Sequence, residues 1–335
     1  MVKVGVPRAL SYYRYFPLWK TLLEGVGAEV VLSRHTRSRL LEDGVRHCVD
    51  DICVPVKLYY GHVLDLKDRT DRLFISRVVS IEKGKSDTYT CPKLIGLPDM
   101  IKRSLEEEDL PPLLEFVMDV QNTSLKASAR KLADDLGARA AVARKALAES
   151  LSVQERFERE LLCGLTPEKA MEKVFTNGNG GSPTVEKAGD KPGSDEINIG
   201  LVGHEYLIHD PFISHNLPEK LRRMKANAVL MSSVPTEAIE RELAHYPGIS
   251  WSYEKELLGA ASHLLRRSDI DGVMLVIGFA CGPDSIIGEI INREVMRPDS
   301  PPLTTLVLDE HTGEAGVSTR VEAFVDLIRR ARKRS

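Results

Sequence analysis

The chain carries little net charge, no long apolar run and few cysteines, and each absence narrows what it can be. Its 46 Lys and Arg nearly balance 49 Asp and Glu, leaving a net charge of −3 over 335 residues. Such a balance gives no global attraction to a polyanion, so nucleic acid is not expected as a partner. The longest apolar stretch, Gly272 to Cys281, is too short to span a bilayer. The opening residues, Met1-Val2-Lys3-Val4-Gly5-Val6-Pro7, lack the cationic segment and apolar core of an export signal. A cytoplasmic protein with no membrane partner is the expectation. Neither GxGxxG nor GxxxxGKS/T occurs, so dinucleotide and P-loop nucleotide binding lack their signatures. No repeat of solenoid period is visible. The five cysteines are odd in number and far apart, and a chain of this length buries enough surface to fold without disulfides, so reduced thiols are expected.

With 42% hydrophobic and 28% charged residues the chain has the composition of a folded protein, and its length accommodates two domains of roughly 150 residues each. Val2 to Val6 reads as a strand, Tyr13 to Gly27 as an amphipathic helix and Glu29 to Leu32 as a second strand. Helical patterns over Ser38 to Asp50 and Pro55 to Leu66, then a strand over Arg72 to Arg77, continue the alternation. From Pro98 to Phe175 the pattern turns to long, charge-laced helices. Residues 177–196 are rich in Gly, Pro and charge with almost nothing apolar, the composition of a flexible linker. Strands and helices then alternate again, with strands at Ile197 to Val202, Ala228 to Met231, Gly272 to Phe279 and Thr304 to Leu308. Helices are expected over Pro211 to Met224, Thr236 to His245, Tyr253 to Arg267, Ser285 to Val295 and Arg320 to Lys333. The expected fold is α/β, with two doubly wound parallel-sheet domains of flavodoxin-like type and a helical insertion. The expected boundaries are 1–100, a helical segment at 101–176, the linker at 177–196 and a second α/β domain at 197–335.

In open parallel sheets, ligands bind beyond the carboxyl ends of the strands, and this rule sorts the cysteines. Cys281 follows the most apolar strand and opens a turn, Cys281-Gly282-Pro283-Asp284-Ser285. Cys91 lies in Thr90-Cys91-Pro92-Lys93, and Cys53 in Asp51-Ile52-Cys53-Val54-Pro55-Val56-Lys57. Each has a proline one or two residues on, the placement of a helix start, where free N–H groups favour thiolate. Cys48 and Cys163 sit inside or at the end of helical patterns without an adjacent proline and read as packing residues. On spacing alone three readings of Cys53, Cys91 and Cys281 stay open: unrelated buried thiols, a zinc site, or an iron–sulfur cluster with one iron lacking a protein thiolate. Further candidates are His204 and Glu205, which with Tyr206 read as the end of the strand after the linker, with Gly203-His204 placed in a ligand-facing loop, and the acidic segment holding Glu310, His311 and Glu314. A cap, a surface position or a solvated turn is the competing reading for these. Lys57, Lys83 and Lys93 lie near the cysteine segments and could balance negative charge there.

Taken together, these segments resemble one family. They are Val4-Gly5-Val6-Pro7-Arg8-Ala9-Leu10 with Tyr15-Phe16-Pro17-Leu18-Trp19, Cys53 to Lys57 with Gly61-His62, Cys91 to Pro98, Phe279 to Ser285, and Glu310 to Glu314 with Thr319 to Phe324. In this order they are similar to the acyl-CoA dehydratase activase-related proteins, relatives of the D-component (β-subunit) of 2-hydroxyglutaryl-CoA dehydratase and of benzoyl-CoA reductase subunits. The resemblance implies a [4Fe-4S] cluster on Cys53, Cys91 and Cys281 between two α/β domains, with an open iron position. It implies an ATP-dependent activator as electron donor, and a homologous dehydratase subunit or a second copy of the chain as partner. The chemistry implied is that of a lyase or an ATP-dependent reductase component: one-electron reduction of a small acyl-CoA thioester to a ketyl radical that expels hydroxyl. A cluster-binding scaffold without turnover is the alternative, since no CoA-binding signature accompanies the cysteine loops.

Overall fold

The computed structural model describes residues 1–82, 88–176, 196–297 and 300–333. Four runs rich in β-branched and other apolar residues form the first sheet: Val2–Val6 (β1), Ala28–Leu32 (β2), Arg72–Ser80 (β3) and Leu113–Asp119 (β4). They pair in the order β2-β1-β3-β4, every pair parallel. Parallel neighbours cannot be joined by a tight turn, so helical connections link them. Tyr12–Gly25 (α1) joins the first two strands, Ser38–Arg46 (α2) and Val54–Leu66 (α3) the next two, and Pro92–Ile95 (α4) and Leu97–Ser104 (α5) the last two. Leu125–Asp135 (α6), Ala140–Leu162 (α7) and Pro167–Thr176 (α8) follow.

The second sheet repeats the arrangement. Ile197–Gly203 (β5), Ala226–Leu230 (β6), Gly272–Gly278 (β7) and Leu303–Leu308 (β8) pair in parallel in the order β6-β5-β7-β8. Glu205–Ile208 (α9), Leu217–Arg223 (α10), Thr236–Leu243 (α11), Ser252–Arg266 (α12), Gly282–Glu294 (α13) and Glu314–Arg332 (α14) complete the series. The architecture is thus α/β with two all-parallel sheets of identical strand order, as the alternation of patterns predicts. By residue contacts, Met1–Glu158 with Ser250–Ser252 form one compact unit, and Arg159–Ile249 with Tyr253–Ser335 the other.

Several local expectations are corrected. β4 lies within the stretch expected to be helical throughout, because Leu114, Phe116 and Met118 alternate inward and pair with β3. Residues 211–216 do not join a helix: His215 and Asn216 both take positive φ, which helix cannot follow, and α10 starts at Leu217. α14 begins six residues earlier than expected, so Glu314 is its first residue rather than part of an acidic turn. β5 ends at Gly203, so Glu205 and Tyr206 belong to α9 and not to a strand end. The linker expected over 177–196 falls almost wholly on residues 177–195, outside the described residues, and so does Lys83.

In the first unit, Trp19 of α1 packs on Phe74 of β3 with ring centroids 5.2 Å apart, and Phe74 stacks on Phe116 of β4 at 5.9 Å. In the second, β7 is buried along nearly its whole length, the pattern of a strand covered on both faces. Leu257, Leu258, Ala261 and Leu264 of α12 and Ile287 and Ile291 of α13 pack into the core that includes Val273 and Leu275 of β7.

The core of the first unit also holds a histidine. His62 of α3 is fully buried, its Nδ1 2.8 Å from the Ser33 hydroxyl and its Nε2 3.0 Å from the Thr36 hydroxyl. Burial lowers its pKa from the ordinary 6.5 to about 3, and burial does the same to His209 in the second unit. A buried histidine that stays neutral makes folding pH-dependent with a definite sign. Below pH 6.5 the unfolded chain takes up a proton that the folded chain refuses. Stability therefore falls as pH drops from 6.5 towards 3, by up to about 1.4 kcal/mol per pH unit for each such group. His62→Gln is expected to be less stable than wild type at pH 7.5, with the gap narrowing steadily towards pH 4. Urea unfolding midpoints measured across that range check this; parallel curves for the two proteins would refute it.

Candidate functional site

All three cysteines singled out by sequence occupy the same local position. Cys53, Cys91 and Cys281 are the residues that cap α3, α4 and α13, each with proline at the first or second helical position. Their thiols are not spent on capping hydrogen bonds. For the 13-residue helices α3 and α13 the capping position lies beside the first-turn N–H groups and the positive end of the helix dipole. Cys53 and Cys281 are buried, Cys91 is half-buried, and no disulfide joins any of the five cysteines. Cys53 and Cys91 belong to the first unit and Cys281 to the second. Cys48 and Cys163 are half-buried: Cys48 sits just after α2 with its thiol 3.8 Å from the Val45 carbonyl, and Cys163 closes α7. Lys57 is buried in α3, and Lys93 is partly exposed in α4.

Strand order gives two of these positions added meaning. In a 2-1-3-4 sheet the direction of winding reverses between the first and third strands, and ligands bind beyond the carboxyl ends there. Cys91 follows β3, the third strand of its sheet, and Cys281 follows β7, the third strand of the other. The residue before Cys281, Ala280, is held at φ 61°, a left-handed conformation that costs an alanine on the order of 1–2 kcal/mol. Sequence packing has fixed a strained turn at the mouth of the second sheet.

Beside Cys281 the second unit assembles a buried polar cluster. His204 directly follows β5, its position set by Gly203, where any Cβ would lie 2.5 Å from the Val276 carbonyl oxygen of β7. Asp284 lies in the first turn of α13, and Glu254 in the first turn of α12. The three side chains are 3%, 1% and 1% exposed. His204 Nε2 donates to Asp284 Oδ1 at 2.8 Å, and one donor atom from each of the three residues lies within 4.8 Å of the others. Tyr206 stacks on the imidazole at 5.0 Å and Tyr253 meets it edge-on at 5.9 Å. The Cys281 thiol hydrogen-bonds Asp284 as well.

The charges respond to this crowding. Burial alone would lower the His204 pKa, but the Asp284 charge and hydrogen bond, with Glu254 and Glu205 nearby, outweigh it and raise it to about 9. Burial would raise Asp284; the His204 imidazolium and the Cys281 hydrogen bond overcome that and hold its carboxyl low. Glu254 is raised, chiefly by burial and further by the Asp284 charge, against the pull of His204.

The other sequence candidates stand apart from this cluster. Glu205 is half-buried in α9, and its charge contributes to raising the His204 pKa. His311 is exposed, with Glu310 4.0 Å away, and Glu314 pairs with Lys220 of α10 at 2.6 Å. Sequence reasoning missed Glu254 altogether and saw Asp284 only as part of the Cys281 turn. Acidic residues in the first turn of a helix are ordinary, and nothing local distinguishes these two. In the first unit a cleft of about 520 Å³ is lined by Arg34, Arg37, Asp65, Lys67, Arg69 and Glu108. Its charge is largely balanced internally, since Arg34 and Arg69 both pair with Asp65, and Lys67 with Glu108.

Residues 3–234 match the family described as the CoA enzyme activase uncharacterised domain, well over half of the chain. The chain belongs to this family. In the CoA enzyme activase domain so defined, Cys53, Cys91 and His204 fall inside the matched residues, whereas Glu254, Cys281 and Asp284 lie beyond them. No curated protein shows a significant match to the chain. Among the described residues no helix is long and apolar enough to cross a membrane.

Proposed function

We propose that this CoA enzyme activase domain protein is an iron–sulfur protein of the 2-hydroxyacyl-CoA dehydratase type, related to the D-component and benzoyl-CoA reductase subunits. The observation that carries the reading is the shared placement of Cys53, Cys91 and Cys281 as helix-capping residues, each followed closely by proline. The donor set suits the group: cysteine sulfur is the ligand type that holds iron–sulfur clusters, and all three cysteines stand at helix starts. A [4Fe-4S] cluster held there supplies low-potential one-electron chemistry and an iron not taken by a protein thiolate. Cys53, Cys91 and Cys281 would hold it, and Ala280 and Pro283 fix the backbone on either side of Cys281. The electron comes from an ATP-dependent activator, and the substrate is a small acyl-CoA thioester; the family's description as a CoA enzyme activase domain supports the link to CoA chemistry.

Anaerobic purification followed by iron and sulfide quantitation and EPR tests the reading. A brown protein with about four irons per chain is expected. Mixing with reductant, activator, ATP and an acyl-CoA substrate should then shift the EPR signal. A colourless, iron-free anaerobic preparation would sink the proposal.

A further inference from the structure

We propose that His204, Glu254 and Asp284 form a second metal site, distinct from the cysteine set, that takes a divalent first-row cation such as Mn²⁺, Fe²⁺ or Zn²⁺. Each of these residues is at least nine-tenths buried, and Oε2 of Glu254 and Oδ2 of Asp284 have no hydrogen-bond partner. A buried carboxylate oxygen left unsatisfied is costly, and two carboxylates brought together repel as well. One cation between them removes both costs.

The spacing and chemistry agree with such an ion. Ligand atoms bound about 2.1 Å from a common metal lie roughly 3 Å apart when adjacent. His204 Nε2 and Asp284 Oδ1 are 2.8 Å apart, and all three donors fall within 4.8 Å. One imidazole with two carboxylates favours Mn²⁺, Fe²⁺ or Zn²⁺ over the all-oxygen preference of Ca²⁺ and the thiolate preference of Cu⁺. Two carboxylates also match the ion's double charge. The site lies beyond β5 and β7, where the winding of the second sheet reverses and ligands are received. Three protein donors leave positions for water or for an oxygen of a bound anion.

Mn²⁺ is the probe of choice, because it has little affinity for thiolate and its free aqua ion has a strong EPR signal. Titration of the full, anaerobically prepared chain should show one Mn²⁺ bound per chain and a rise in thermal midpoint. Glu254→Gln and Asp284→Asn should each weaken binding by at least about tenfold. Cys91→Ser should leave it unchanged. Glu254→Gln should also be at least as stable as wild type without metal, since it relieves the carboxylate repulsion. Absence of Mn²⁺ binding by wild type, or binding by either carboxylate variant as tight as that of wild type, would overturn the proposal. Acid-labile sulfide measured on the same samples reports the cluster separately from any Fe²⁺ held here, so either result stands whether or not Cys53, Cys91 and Cys281 hold a cluster.

Discussion

Cys281→Ala is expected to lose its iron almost completely on anaerobic purification, from about four per chain to less than one, while Cys163→Ala keeps the full complement. The contrast rests on what surrounds each thiol. Cys281 is 8% exposed, caps a 13-residue helix, and follows a residue held in a strained left-handed conformation. That conformation is maintained against its own cost, so the surrounding structure holds the turn in place. Cys163 ends α7, with its N–H still bonded to the Arg159 carbonyl in helical fashion and no proline one or two residues on. Far-UV circular dichroism of both variants separates loss of iron from loss of fold, because deleting one sulfur from a capping position removes little buried area. Equal iron in the two variants would break the ligand assignment.

The second large effect falls on stability. Gly61→Ala is expected to cost about 3 kcal/mol, the upper end of what overpacking does to a core, and Gly44→Ala a comparable amount. These glycines are where α2 and α3 cross. A Cβ on Gly61 would lie 1.9 Å from the Leu40 carbonyl oxygen, and one on Gly44 at the same distance from the carbonyl oxygen of Lys57. The obstructing atoms are backbone, so no side chain can rotate aside and the helices must separate. Gly316→Ala in α14 is the control: no atom lies within 4 Å of its Cβ, and the helix gains about 1 kcal/mol from the better helix former. Chemical denaturation of the three variants reads these differences directly. A Gly61→Ala protein as stable as wild type would show that the two helices are not so tightly seated. Because α3 begins immediately after Cys53, displacing it should also lower iron content.

Much of this site was legible locally, and some of it was not legible at all. The proline following each of Cys53, Cys91 and Cys281 is a short-range signal, because proline is favoured where a helix begins, and the helix starts fall where it marks them. His204 was legible as the residue after an apolar strand. Glu254 was not: it is 50 residues from His204 and 30 from Asp284 in a different helix, and acidic first turns occur on many helices of this chain. β4 escaped for the opposite reason. Its seven residues lie in a stretch otherwise dominated by helical patterns, and only pairing with β3 makes their alternation meaningful.

By itself, then, the sequence determined the alternation of strands and helices, the helix starts at the three cysteines and the absence of any net charge to draw a polyanion. These follow from forces acting over a few residues: side-chain periodicity, proline's missing N–H and the balance of fixed charges. The tertiary structure alone decided the 2-1-3-4 order of both sheets, the crossing at Gly44 and Gly61, and the meeting of His204, Glu254 and Asp284. Each of those depends on which distant segments pack together, and burial, which leaves two carboxylate oxygens without partners, exists only once the chain has closed around them.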